Sequence, residues 1–124
     1  MSENYWKYIE GIADDIMAER EHWSEDDLVD IVSQHADGSQ LVIYYSQAHD
    51  FVRWLPGDVR YEAEDRASDC YSDGYPSYDE AATRIAYFAL DYMIMEEVTE
   101  RLEKESKAQE LEEDQKAIEV GNNV

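Results

Sequence analysis

Between Ile85 and Met95 almost every position is apolar or aromatic. A helix apolar on almost all sides needs neighbours around it, so this pattern predicts the central helix of a bundle. Its start is marked by Ser77 and Glu80 just after Pro76, an S-x-x-E spacing whose side chains can satisfy each other's backbone N–H groups. Ala82, Ile85, Ala86, Ala89, Tyr92 and Met93 then recur at three- and four-residue steps, and Phe88, Tyr92 and Met93 read as core. From Glu96 onward the pattern changes. Glu96, Glu97, Glu100, Glu103 and Glu105 surround only Val98 and Leu102 as apolar anchors, out to about Leu111. The inner half of the helix is built for packing and the outer half for display of negative charge.

The earlier chain reads as shorter helices laid against this one. Trp6, Ile9, Ala13, Ile16 and Met17 share a face over about Asn4 to Glu21. Ser24 is placed to cap a second helix, with Glu25, Asp26 and Asp27 in a first turn that favours carboxylates. Trp23 and Leu28 flank that cap as a hydrophobic staple. Leu28, Ile31, Val32 and His35 continue the stripe until Gly38. A third helix is expected from Ser39 to Leu55, on the spacing of Leu41, Tyr44, Tyr45, Ala48, Phe51, Val52 and Leu55, with Pro56-Gly57 as its stop. Tyr61, Ala63, Ala67 and Cys70 permit a short polar helix. The fold class predicted is all-α, a compact bundle of four to five helices around a long central one. Residues 1–109 form its single domain, and 110–124 form a polar, acidic, flexible tail.

Charge changes this picture most. Thirty-one acidic residues against ten basic ones give the chain of 124 residues a net charge of −21. The excess is spread along the chain, at −9 over residues 1–40, −4 over 41–76 and −8 over 77–124. Ten Tyr, three Trp and two Phe separate it from a merely disordered acidic sequence. Such a surface disfavours direct contact with nucleic acid or an anionic membrane and favours a basic partner. The apolar run Leu41 to Tyr45 is far too short to span a bilayer. Glu3, Lys7 and Glu10 stand where a secretory signal would be basic and then apolar. One cysteine, Cys70, allows no internal disulfide and fits a reducing compartment. A cytoplasmic location is therefore expected.

Catalytic signatures are missing: there is no nucleophile elbow, phosphate-binding loop, dinucleotide fingerprint or zinc-type histidine motif. His22, His35 and His49 lie too far apart to form a ligand pair on one helix and read as surface or satisfied histidines. The chain is not expected to be an enzyme or to hold a cofactor. The stretch DCYSDGYPSYDE, Asp69 to Glu80, places Asp69, Asp73 and Glu80 at positions 1, 5 and 12 of a calcium-binding loop. Tyr71 at position 3 and Pro76 at position 8 depart from that pattern. Capping by Ser77 and Glu80 explains the same residues, so no metal site is assigned.

Carboxylates three or four residues apart on a helix stand about 5–6 Å from one another. Nucleic acid likewise presents a regular row of negative charges. Two stripes are candidate partner-binding surfaces: Asp14, Glu21, Glu25, Asp26 and Asp30 around the first two helices, and Glu96, Glu97, Glu100 and Glu103 on the last. In size, acidity, helical content and Tyr/Trp richness the chain resembles phage-encoded proteins that mimic DNA, among them antirestriction proteins and acidic anti-CRISPR proteins. ADGSQLVIYYSQAHDFV (Ala36 to Val52) and ATRIAYFALDYMIMEEV (Ala82 to Val98) also resemble stretches of small phage proteins. The resemblance implies an inhibitor in the host cell cytoplasm that occupies a basic, nucleic-acid-binding defence complex, a CRISPR surveillance complex or a restriction enzyme. An ordinary acidic interaction or assembly protein, dimeric or not, is the alternative. Adaptation to a salty habitat would also account for the charge.

Overall fold

The computed structural model describes residues 2–70, 74 and 77–122, with side chains described for 5–70, 74 and 77–109. Among these residues there is no strand. Six α-helices follow one another: α1 (Ser2–Ala18), α2 (Leu28–Asp37), α3 (Gln40–Ile43), α4 (Tyr45–Trp54), α5 (Gly57–Ser68) and α6 (Tyr78–Asn122). Helices α1 to α5 all pack on α6, which forms the axis of the bundle. Ala86, Ala89, Leu90, Met93, Ile94 and Val98 are buried along it. Opposite them stand Ile9, Ala13 and Ile16 of α1, Val32 of α2, and Phe51 of α4, in one contiguous core. Small residues on α6 let its neighbours approach closely, while Phe51, Leu90 and Ile94 fill the volume between them. Phe88 and Tyr92 sit at the margin of this core, half-buried.

The junctions follow from capping chemistry. Trp23 is buried at the end of α1 and its indole N–H donates to the Ile16 carbonyl at 2.9 Å, satisfying one of the acceptors a helix end leaves open. Arg20 lies over the Trp23 ring, 4.6 Å from its centre, and donates to the Trp23 carbonyl. Two single-turn 3-10 helices, Arg20–His22 and Glu25–Asp27, bridge α1 to α2. The Asp27 carboxylate accepts from both the N–H (3.1 Å) and the hydroxyl (3.2 Å) of Ser24. Ser39 accepts from the Leu41 N–H at 3.1 Å and also bonds the Tyr8 hydroxyl at 2.8 Å, which joins α3 to α1.

Two elements differ from the sequence reading. The helix expected over 39–55 is broken at Tyr44, whose backbone is extended at φ −100°, ψ 118°. Its run of Val42, Ile43, Tyr44 and Tyr45 is β-branched and aromatic, and such residues lose side-chain freedom in a helix. The break leaves both Leu41 and Ala48 facing the core. At the other end, α6 does not stop near Leu111 but runs as helix to Asn122, through the segment expected to form a tail. Glu, Lys, Gln and Ala dominate that segment and are strong helix formers. Among the described side chains, core contact along α6 ends at Leu102. No helix among the described residues is long and apolar enough to cross a membrane.

Candidate acidic interaction surface

Helix α1 approaches α6 at its outer half, where Arg101 joins the two. Its Nη1 donates to Asp14 of α1, and its Nε donates to Glu97 one turn back along α6, at 3.1 Å. Partial burial opposes the charge on Arg101, but the two carboxylates outweigh it and raise its pKa further. Asp14 from the first expected stripe and Glu97 from the second therefore meet at one cation. Glu100 is paired with Lys104 at 3.3 Å, in an exposed pair. Glu21, Glu25 and Asp26 are exposed in the 3-10 turns, and Glu96 and Glu103 are exposed on α6.

Along the seam of α2 and α6 the second stripe borders the first turn of α2. Val29, next to Leu28 at the start of α2, shares a groove of about 710 Å³ with Tyr92, Met95, Glu96, Glu100 and Glu103 of α6. Further along, Asp30, Ser33 and Asp37 of α2 line a second depression with Arg84 and Tyr87. Helix α2 thus runs antiparallel to α6, its N-terminal turn beside the glutamate-rich stretch. The structure places Asp14 on the α1 side of α6 and Asp30 on the α2 side, so the first stripe wraps the bundle instead of lying on one face.

Of the residues lining the groove between α2 and α6, the sequence singles out Glu96, Glu100 and Glu103 as partner-binding candidates, but not Val29, Arg66 or Asp91. Asp91 lies on its floor and accepts from the Ser33 hydroxyl at 3.1 Å. Burial raises the Asp91 pKa, while the Ser33 hydrogen bond and the nearby Arg66 charge oppose that rise. The Tyr92 phenol is also held above its ordinary range, first by its hydrogen bond to Glu96 and then by the Glu96 charge. Arg66 of α5 lines the same groove with its guanidinium 5.6 Å from the centre of the Tyr92 ring and its Nε on Glu62 at 3.0 Å. Val29 is 62% exposed. Two sequence signals could have found the groove: Asp91 interrupts an apolar run, and Val29 is out of phase with the buried stripe of its own helix.

The remaining candidates fall elsewhere. His49 Nε2 lies 2.8 Å from Asp79 Oδ1, and its ring stacks on Tyr78, tying α4 to the first turn of α6. His22, His35 and Cys70 are exposed. Asp69 is exposed at the end of α5 and Glu80 is exposed in the first turn of α6, whereas Asp73 of the calcium-loop pattern lies outside the described residues. The Glu80 N–H donates to the Ser77 hydroxyl at 3.0 Å, the capping bond expected there. Among the described residues no group of three or more His, Cys, Asp or Glu is arranged to hold a metal ion. Compared with protein-family models, with curated proteins and with solved structures, the chain matches none.

Proposed function

We propose that this protein is a small anti-defence inhibitor, of the anti-CRISPR or antirestriction kind, that occupies the nucleic-acid-binding surface of a basic host complex and keeps DNA from it. The observation that carries this reading is the convergence of carboxylates distant in sequence on the outer half of α6. Asp14 and Glu97 meet at Arg101, and the first turn of α2, which directly follows Glu25 and Asp26 in the chain, lines a groove with Glu96, Glu100 and Glu103. A helical frame holds these charges at fixed separations, so they can replace a phosphate row in a Lys/Arg groove without ordering a flexible chain first. The mechanism is occupancy: the inhibitor makes and breaks no bond, and it needs no cofactor.

The test is neutralisation without loss of fold. Glu25→Gln, Asp26→Asn and Asp30→Asn together, and separately Glu96→Gln, Glu100→Gln and Glu103→Gln, are compared with the parent in displacing DNA from restriction and CRISPR complexes. Weaker displacement by either triple variant at unchanged helicity supports the reading. Equal displacement by both removes these stripes from the binding surface.

A second reading rests on a different feature. Ile43, Tyr44 and Tyr45 stand consecutively exposed at 57%, 56% and 52% where α3 breaks into α4. Aromatic and aliphatic side chains in such a patch suit an assembly contact without mimicry. Impaired association after Tyr44→Ser and Tyr45→Ser, with both acidic triple variants unaffected, would favour it.

A further inference from the structure

The groove at the seam of α2 and α6 differs from the rest of the acidic surface in having an apolar wall. Val29 is 62% exposed in the first turn of an otherwise well-patterned helix, and Met95 of α6 lines the same groove. Carboxylates border this apolar strip along its length: Asp91 on the floor, then Glu96, Glu100 and Glu103 toward the outer end of α6. Among the described residues the one basic side chain lining it, Arg66, is held against Tyr92 and Glu62. A surface meant only to imitate phosphates gains nothing from an exposed valine in its midst. A surface meant to seat a protein segment does, because burial of the aliphatic group adds attraction that salt does not screen.

We propose that this groove docks a basic segment of a partner protein, which sets an aliphatic side chain between Val29 and Met95 and directs an Arg or Lys toward Asp91 and Glu96. The charge complementarity fixes the sign of the segment, and the apolar strip fixes its anchor. This deepens the proposed function, since it assigns to that partner a protein contact made through an uncharged group as well as through charges. Two antiparallel helices with an open channel between them are also the geometry in which helix-in-groove recognition works, with anchors one turn apart.

The probes are two synthetic peptides of equal length and equal positive charge, Arg-rich and carrying at the same positions, three and four residues apart, Leu in one and Ser in the other. Each is titrated into the full-length protein while the methyl resonances of Val29 and Met95 are followed by NMR. The Arg/Leu peptide is expected to shift both methyls and to bind about tenfold more tightly than the Arg/Ser peptide, the gain of burying one aliphatic group. Val29→Asp is the informative variant, because it adds a carboxylate that purely electrostatic binding would welcome. It sits in the first turn of α2, where acids are tolerated. The proposal requires Val29→Asp to weaken the Arg/Leu peptide about tenfold and to erase its advantage over Arg/Ser. Val29→Ser gives the same test should the aspartate disturb α2, and Asp91→Asn is expected to weaken both peptides. Equal binding of the two peptides, or binding by Val29→Asp as tight as the parent's, would overturn the proposal, as would the absence of binding. Displacement of DNA is not part of this readout, so peptide docking without DNA displacement would count against mimicry and leave the groove assignment standing.

Discussion

Asp91 occupies a position where a small neutral side chain would pack with less penalty. Its folded-state pKa is raised, chiefly by burial, so protonation favours the folded form. That contribution is complete below the ordinary aspartate range and fades as pH rises through the raised folded value. At neutral pH the ionised carboxylate therefore costs stability. Asp91→Asn is expected to raise the melting temperature at pH 7 by the equivalent of less than about 1 kcal/mol, with solvent screening limiting the effect. Melting curves of the two proteins should converge in acid. Phe51 makes the contrasting case, being fully buried between α4 and its neighbours. Phe51→Ala should cost about 3–5 kcal/mol in denaturant titration, and Phe88→Ala roughly half of that or less, since Phe88 is only half-buried. From the sequence Phe88 and Tyr92 read as core alongside Met93. Their spacing was right for α6, but the burial order depends on which helices lie opposite, and the chain pattern of α6 alone does not contain that.

At the scale of elements, the helices themselves were legible because their caps and stripes agree. Ser24, Ser39 and Ser77 sit at element starts, and Gly38 and Pro56 sit at ends. The break at Tyr44 was not legible, because the apolar spacing of residues 41–55 fits one continuous helix as well as two short ones. Nor was the true end of α6, since polarity announces exposure but not the end of a helix. The junction of α4 and α5 makes a further prediction. Arg60 donates from Nε and Nη2 to the Val52 carbonyl at 3.1 and 2.7 Å, and from Nη2 to the Arg53 carbonyl at 2.6 Å. These are the acceptors that the last turn of α4 leaves open, and a cation suits them by both hydrogen bonding and dipole. Arg60→Ala should lower stability by about 1–2 kcal/mol and speed amide exchange in α4 ahead of α6. Arg60→Lys should recover only part of the loss, because one ammonium group does not reproduce the guanidinium fork.

For the molecule as a whole, a net charge of −21 on one small bundle sets stability and association against each other. Self-repulsion is screened by salt, so the melting temperature should rise as ionic strength increases, while encounter with a basic partner slows. Composition alone made the acidity legible and is the ground for expecting a basic partner. The meeting of Asp14 with Glu97 and the apolar strip of the groove were not, because both arise from helices brought together by the fold. Under the proposed function, this surface and DNA compete for one basic site. The most direct measurement titrates the protein into restriction and CRISPR surveillance complexes at low and high ionic strength while DNA binding is followed by fluorescence anisotropy. A complex is expected to lose its DNA as the protein is added, with higher salt weakening the displacement. A complex that binds the protein tightly and keeps its DNA, or a full set of complexes that the protein never engages, would contradict it.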